Sequence, residues 1–286
     1  MPTLRQHTTD LATALENLYP APEAASMAGM VMEHLLDLTP LQRRMQAAEE
    51  VPEEVKTQLC EMQTRLLRHE PVQYVLGVAH FAGMELEVTP ATLIPRPETE
   101  ELVQLIVREQ RARPALSVLD VGTGSGCIPL ALCQELQPTC VVAVDVSAEA
   151  LEVARRNAIR YGCEIDFQQL DILRQTPTGL PARTLDVLVS NPPYVLENER
   201  PLMRPNVLNY EPATALFVPN QDPLLFYRRI AELGTTLLQR SGTVYFEVNE
   251  QYASEVVALL TNLGYAEAAA HQDMFGKNRM VRATVA

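Results

Sequence analysis

Val118-Leu-Asp-Val-Gly-Thr-Gly-Ser-Gly126 runs an apolar segment into three alternating glycines, and Ile128-Pro-Leu-Ala-Leu132 follows at once. This is the pattern of a buried parallel strand, a tight turn and the first turn of a helix. Glycines at Gly122, Gly124 and Gly126 let the backbone turn sharply and come close to a ligand, and the helix start offers free N–H groups. Asp120 at the strand end makes the surroundings partly acidic, which a phosphate cradle would not favour.

Strand and helix patterns alternate outward from this turn. Strands are expected at 116–121, 140–145, about 165–169, 185–190 and 243–248, with a pair at 265–270 and 279–285. Helices are expected at about 127–137, 148–161, 222–240 and 251–263. The order predicts an α/β fold, a Rossmann-like doubly wound sheet with an antiparallel end strand, over residues 96–286. Upstream, the pattern is helical. Leu4, Leu11, Leu15 and Leu18 recur at helical spacing, Thr39-Pro40 is a helix start, and Leu59, Met62, Leu66 and Leu67 share a side. Residues 1–72 therefore read as a small helical bundle, and 73–95 as a β-hairpin linker built on Val78–Phe81 and Met84–Val88 around Ala82-Gly83.

Composition narrows the function. The 286 residues carry 36 acidic and 23 basic side chains, a formal charge of −13. A broad nucleic-acid footprint needs the opposite sign, so no stable nucleic-acid partner is expected, whereas a protein partner fits. No basic-then-apolar leader and no run of 18 apolar residues appears. The expectation is a cytoplasmic protein without a membrane partner, and a monomer. The five cysteines lack CxxC spacing and are expected to be buried free thiols.

Ligands of such sheets bind beyond the carboxyl ends of the strands, which selects the candidate residues. Asp145 ends Cys140-Val-Val-Ala-Val-Asp145, where a carboxylate can accept from ribose hydroxyls or, with Ser147, cap a helix. Asp171, after the third strand, can accept from an adenine amino group, with Ile172 and Val146 over the ring. NAD, FAD and S-adenosylmethionine all fit this much. The spacing Asp120-x-Gly-x-Gly-x-Gly differs from the Gly-x-Gly-x-x-Gly of dinucleotide sites and favours S-adenosyl-L-methionine.

Asn191-Pro-Pro-Tyr194, at the end of the strand 185–190, carries the chemistry. Two prolines donate no hydrogen bonds and stiffen the backbone, leaving carbonyl oxygens without local partners. The Asn191 side-chain oxygen and the Pro192 carbonyl can both accept from one planar NH₂ group, with Tyr194 over its face. Such a nitrogen is a poor nucleophile, and two fixed acceptors would orient it toward a methyl carbon. A sulfonium cofactor brings its own leaving group, so no metal is needed, and methyl transfer by in-line displacement is expected. Of the long connection 195–221, Glu211-Pro212 is placed to pin the loop back to the sheet, and Arg96 reads as a linker residue.

These stretches, with Pro71-Val-Gln-Tyr-Val-Leu-Gly77, Leu93-Ile-Pro-Arg-Pro-Glu-Thr-Glu100, Tyr210-Glu-Pro-Ala-Thr-Ala-Leu216 and Asp273-Met-Phe-Gly-Lys-Asn-Arg279, cover nearly all of the chain. Together they resemble the bacterial PrmC/HemK family, the protein-(glutamine-N5) methyltransferases of peptide chain release factors. The resemblance implies that Gly122, Thr123, Gly124, Ser125, Gly126, Asp145 and Ile172 contact S-adenosyl-L-methionine. It implies that Asn191 contacts both cofactor and glutamine, and that Pro192, Pro193 and Tyr194 shape the glutamine pocket. The substrate would be the glutamine of the Gly-Gly-Gln loop of class I release factors, docked through the helical bundle. Two departures stand out: Ile172, where the family often has an aromatic residue, and Asn249, where glycine is usual. The alternative is a DNA or RNA amino-methyltransferase of the adenine N6 type, since adenine presents the same planar NH₂.

Overall fold

The computed structural model describes residues 2–286. The chain forms two compact units, one of residues up to Val78 together with Arg204–Tyr210, the other of Ala79–Met203 and Glu211–Ala286.

The first unit is helical: α1 (Leu4–Leu15), α2 (Ala21–Leu36), α3 (Pro40–Met45), α4 (Glu53–Leu66) and α5 (Val72–Leu76). Thr39 starts α3 through a reciprocal capping box with Gln42. Leu4, Leu11 and Leu15, spaced for one helix face, are buried with Ala28, Val31, Met32 and Leu66. Arg65 closes the unit. It pairs with Glu70 and donates to the carbonyls of Tyr74 and Val75, the last turn of α5, whose end is marked by Gly77 at φ +76°. Tyr210 joins this unit by donating its hydroxyl to the Arg68 carbonyl at 2.7 Å.

The second unit opens with the hairpin β1 (Val78–Phe81) and β2 (Met84–Glu87), followed by α6 (Pro97–Gln110). Then come β3 (Ser117–Val121), α7 (Cys127–Leu136), β4 (Cys140–Asp145), α8 (Ala148–Tyr161), β5 (Asp166–Gln169) and β6 (Leu185–Ser190). The connection after β6 holds short pieces: β7 (Val195–Leu196), α9 (Pro205–Leu208, in the helical unit), α10 (Ala213–Leu216) and β8 (Phe217–Val218). The chain ends with α11 (Leu225–Leu237), β9 (Leu238–Glu247), α12 (Ala253–Asn262), β10 (Tyr265–Gln272) and β11 (Asn278–Val285).

Seven strands form one sheet in the order β10-β11-β9-β6-β3-β4-β5. Five are parallel, and β11 and β10 add antiparallel to the β9 edge. Strand residues alternate between two apolar layers, as a sheet covered on both faces requires. Leu119, Val142, Val144 and Leu188 face the layer under α11 and α12, while Val118, Val141, Val187 and Val189 face α6, α7 and α8. The chain builds β3, β4 and β5 in one direction and then crosses back to β6 on the other side of β3. The switch point therefore lies between the carboxyl ends of β3 and β6, where the glycine turn and Asn191 emerge.

The hairpin is fastened to α8 within this unit. Glu87 N–H donates to Asn157 Oδ1, the Tyr161 hydroxyl serves both the N–H and the carbonyl of Glu85, and Arg156 and Arg160 pair with Glu87 and Glu85. The cysteines depart from expectation. All five are free, but only Cys163 is buried; Cys60 and Cys140 are exposed because one lies on the outer side of α4 and the other starts β4 at the sheet's amino end. Among the described residues no helix is long and apolar enough to cross a membrane.

Candidate active site

The glycine turn is locked by its own backbone. Gly122 and Thr123 N–H donate to the Val144 carbonyl, and Gly126 N–H to that of Thr123. Gly126 sits at φ +81°, and a Cβ there would stand 3.2 Å from the Ala154 methyl, so glycine is what lets α7 pack on α8. Asn157, buried on α8, donates to the Ser125 carbonyl and holds the far side of the turn.

A cleft of about 330 Å³ lies beyond these strand ends. Gly122, Gly124 and Asp145 line one part, Asp171 and Ile172 another, and Asn191, Pro192 and Pro193 a third. Val146 lines it beside Asp145, so the structure brings together nine of the candidate residues named from sequence. Thr123, Ser125, Gly126 and Tyr194 are not among its lining residues. Thr123 and Ser125 are buried inside the turn, and their hydroxyls make no well-formed hydrogen bond. Much of the remaining wall, which the strand-end rule did not find, is apolar, with Leu93, Pro212, Phe217, Phe226 and Ile230 among its residues.

Asp145 serves the turn itself. One oxygen accepts Gly124 N–H at 2.8 Å and the other Ser147 N–H at 3.0 Å, leaving a lone pair on each oxygen for a ligand. Burial raises its pKa, and those backbone N–H groups oppose the rise. Asp171 lies two residues past β5, its carboxylate accepting Leu173 N–H at 3.0 Å beside Arg174. Ile172 is buried in the sheet's apolar layer and keeps a side toward the cleft. Asp120 is fully buried on the α7 face with neither oxygen in a well-formed hydrogen bond, and its pKa is pushed up to about 7 by burial.

These residues suit S-adenosyl-L-methionine. A nucleoside needs an apolar slot with carboxylates at its end, which Ile172, Phe226, Asp145 and Asp171 provide. The polar part needs polar groups on the same cleft, which the free lone pairs of Asp145 and the side chain of Asn191 offer.

Asn191 emerges from β6 with its backbone carbonyl 3.9 Å from where a Gly122 Cβ would be, so the two turns meet. Its Nδ2 donates to Thr99 Oγ1 at 3.2 Å, and the Thr99 hydroxyl donates to Glu247 Oε2 at 2.6 Å. The Tyr194 hydroxyl donates to the other Glu247 oxygen at 3.1 Å, and the ring packs against the α11 layer. Glu247, at the end of β9, is 1% exposed, and burial raises its pKa, with the Thr99 and Tyr194 hydroxyls opposing. Sequence reasoning passed over both Thr99 and Glu247. The available signal was a carboxylate closing the apolar run Thr243-Val-Tyr-Phe-Glu247 at a strand's carboxyl end.

Arg96 is not a free linker residue. Its guanidinium meets Glu211 at 2.5 Å, and Glu211, with a side chain 1% exposed, also accepts Ile94 N–H. This pair pins the loop that brings Pro212 and Phe217 to the cleft. Asn249 has φ −64° and caps the turn Glu250–Tyr252 by accepting Gln251 N–H, a geometry that does not need glycine.

Two family models match the chain: the PrmC N-terminal domain over residues 10–77 and the methyltransferase small domain over 99–204. The release factor glutamine methyltransferase of Bacteroides thetaiotaomicron is 39% identical over 276 residues, 96% of this chain and 98% of its own. That of Flavobacterium psychrophilum is 42% identical over 231 residues, 79% and 80% of the two chains. Among solved structures, a methyltransferase from Pyrococcus furiosus superposes with a TM-score of 0.51 at 20% identity, covering 78% of this chain and 98% of that one, a likeness of fold. With both units matched and the near-full-length identity spanning the glycine turn and Asn191-Pro-Pro-Tyr194, the chain belongs to the family of release factor glutamine methyltransferases.

Proposed function

We propose that this protein transfers a methyl group from S-adenosyl-L-methionine to the side-chain amide nitrogen of the glutamine in the Gly-Gly-Gln loop of class I release factors. The observation that carries this reading is the placing of Asn191-Pro192-Pro193 on the same cleft as Gly122, Asp145 and Ile172, in a chain of this family. The cofactor, when bound, supplies a methyl carbon on a positively charged sulfur that leaves as a neutral thioether.

The protein's own groups do the rest. Asn191 Oδ1 and the Pro192 carbonyl accept from the glutamine NH₂ and hold its nitrogen in line with the methyl carbon. Positive charge grows on that nitrogen as the N–C bond forms and the C–S bond breaks, and the same two oxygens stabilise it. The nitrogen then loses a proton to water or a carbonyl. Gly122 to Gly126, with Asp145, Asp171 and Ile172, hold the cofactor, and Tyr194 acts through Glu247. The helical unit docks the body of the release factor, and the reaction belongs in the cytoplasm.

An adenine-modifying enzyme would need a basic approach to Asn191, and a chain at −13 does not favour one. The test is mass spectrometry of a release factor incubated with enzyme and isotopically labelled S-adenosylmethionine. One labelled methyl on the Gly-Gly-Gln amide is expected. Label on another residue, or none on the protein and some on adenine in DNA or RNA, would overturn the reading.

A further inference from the structure

We propose that Thr99 and Glu247 are positioning residues that decide which way the Asn191 carboxamide faces. The inference rests on the reading above, in which Asn191 must accept a hydrogen bond from the glutamine amide.

A carboxamide presents oxygen and NH₂ with nearly the same shape, so the strand end alone does not choose between two orientations. Only one is productive. The glutamine nitrogen has its lone pair delocalised and donates through its hydrogens, so it needs an oxygen opposite it. An NH₂ of Asn191 turned to the same place would set donor against donor.

The polar chain behind Asn191 makes the choice. Glu247 carries two acceptor oxygens in a site 1% exposed, and each takes a hydroxyl proton, Thr99 at 2.6 Å and Tyr194 at 3.1 Å. Thr99 has one proton to give. Once it is committed to the carboxylate, the hydroxyl oxygen can only accept from its remaining neighbour, Asn191 Nδ2 at 3.2 Å. The NH₂ of Asn191 is thereby turned to Thr99 and its oxygen away. A buried acceptor thus propagates its polarity through one hydroxyl to the reacting amide.

The links come from separate elements: Thr99 from the first turn of α6, Glu247 from the end of β9, Asn191 and Tyr194 from the turn after β6. Glu247 is fixed in turn, since Val248 N–H donates to the Arg279 carbonyl and the Tyr227 hydroxyl donates to the Glu247 carbonyl. Both oxygens of a rigid carboxylate are thus occupied by hydroxyls tied to the active-site turn, Tyr194 as a member of it and Thr99 through Asn191. This also gives the tyrosine of Asn191-Pro-Pro-Tyr194 a purpose on the structure itself: it holds the carboxylate that Thr99 uses.

The test is Thr99→Val, which keeps the shape of the side chain and removes the hydroxyl, beside Thr99→Ser, which restores it. With wild-type enzyme methylating a full-length release factor, Thr99→Val should lower kcat about 10- to 100-fold. The KM for S-adenosylmethionine should stay within about two-fold, and Thr99→Ser should recover most of the rate. A readout without turnover is the Asn191 side-chain amide in nuclear magnetic resonance of the enzyme alone. Its protons should exchange slowly in the wild type and in Thr99→Ser, and quickly in Thr99→Val. If Thr99→Val does not fold, Thr99→Ser against Thr99→Ala, which differ by one oxygen, makes the same comparison. A Thr99→Val enzyme with wild-type kcat, a loss that Ser does not restore, or an unchanged Asn191 amide would each overturn the proposal. Should the wild type itself leave release factors unmodified, the functional reading fails, while the amide measurement still decides the orientation.

Discussion

Asp120→Asn should stabilise the folded protein, and by more as the pH rises. Asp120 ends a central strand with no exposed surface and no well-formed hydrogen bond to either oxygen. Burial lifts its carboxyl from an ordinary 3.8 to about 7, opposed by Thr123 and reinforced by the charge of Asp145. The folded state therefore binds this proton more tightly than the unfolded chain does. Between about pH 4 and 7 the folded protein carries more of the proton, so stability falls as pH rises through that window. Above pH 7 the group is ionised in both states and the full penalty stands. At about 1.4 kcal/mol per pH unit, the gap between 3.8 and about 7 amounts to roughly 4 kcal/mol. Asparagine has nearly the same shape and no charge, so its advantage should grow from under about 1 kcal/mol at pH 4 to roughly 4 kcal/mol at pH 8. Urea unfolding of both proteins between pH 4 and 8, without cofactor, measures the difference. A difference independent of pH, or an asparagine variant that is less stable at pH 8, would refute the reasoning.

Asn191→Ala should lower kcat by at least about 100-fold and leave the melting temperature nearly unchanged, since Asn191 sits at a strand end and is half-buried. Wild-type methylation by that variant, measured by label incorporation, would remove Asn191 from the mechanism. Arg96→Ala should cost about 3 kcal/mol in urea unfolding, because the Glu211 carboxylate stays buried with only the Ile94 N–H as a partner. The same variant should bind S-adenosylmethionine more weakly in calorimetric titration, since Pro212 and Phe217 lose their anchor. Gly126→Ala should destabilise by more than about 2 kcal/mol, from its left-handed backbone plus the contact with Ala154, whereas Gly124→Ala, with nothing within 4 Å, should show the backbone cost alone.

What the amino-acid pattern revealed follows from what is local in it. The strand-turn-helix at Val118–Gly126 is legible because three apolar residues and three glycines fix a conformation with no reference to distant residues. The same holds for the Thr39–Gln42 capping box and the hairpin before α6. The strand-end rule then collected Asp145, Asp171, Ile172 and Asn191 at one cleft, because parallel strands put their carboxyl ends on one side by geometry.

The residues it missed are those whose meaning lies in a partner far along the chain. Thr99 and Glu247 are 148 positions apart, and Arg96 and Glu211 are 115 apart. Read locally, Thr99 is one polar residue in a helix start, and Arg96 a cation in an extended linker. Only the crossover from β5 back to β6 beside β3, followed by β9 on the outer side, carries the Glu247 carboxylate beside the amino end of α6. The same topology explains why the site needs such support. Asn191 leaves its strand just before two prolines that donate nothing, so no neighbouring backbone group on that side can orient its side chain. The stiffness that frees the Pro192 carbonyl for substrate also deprives Asn191 of local partners, and orientation has to come from across the sheet, through Thr99 from Glu247.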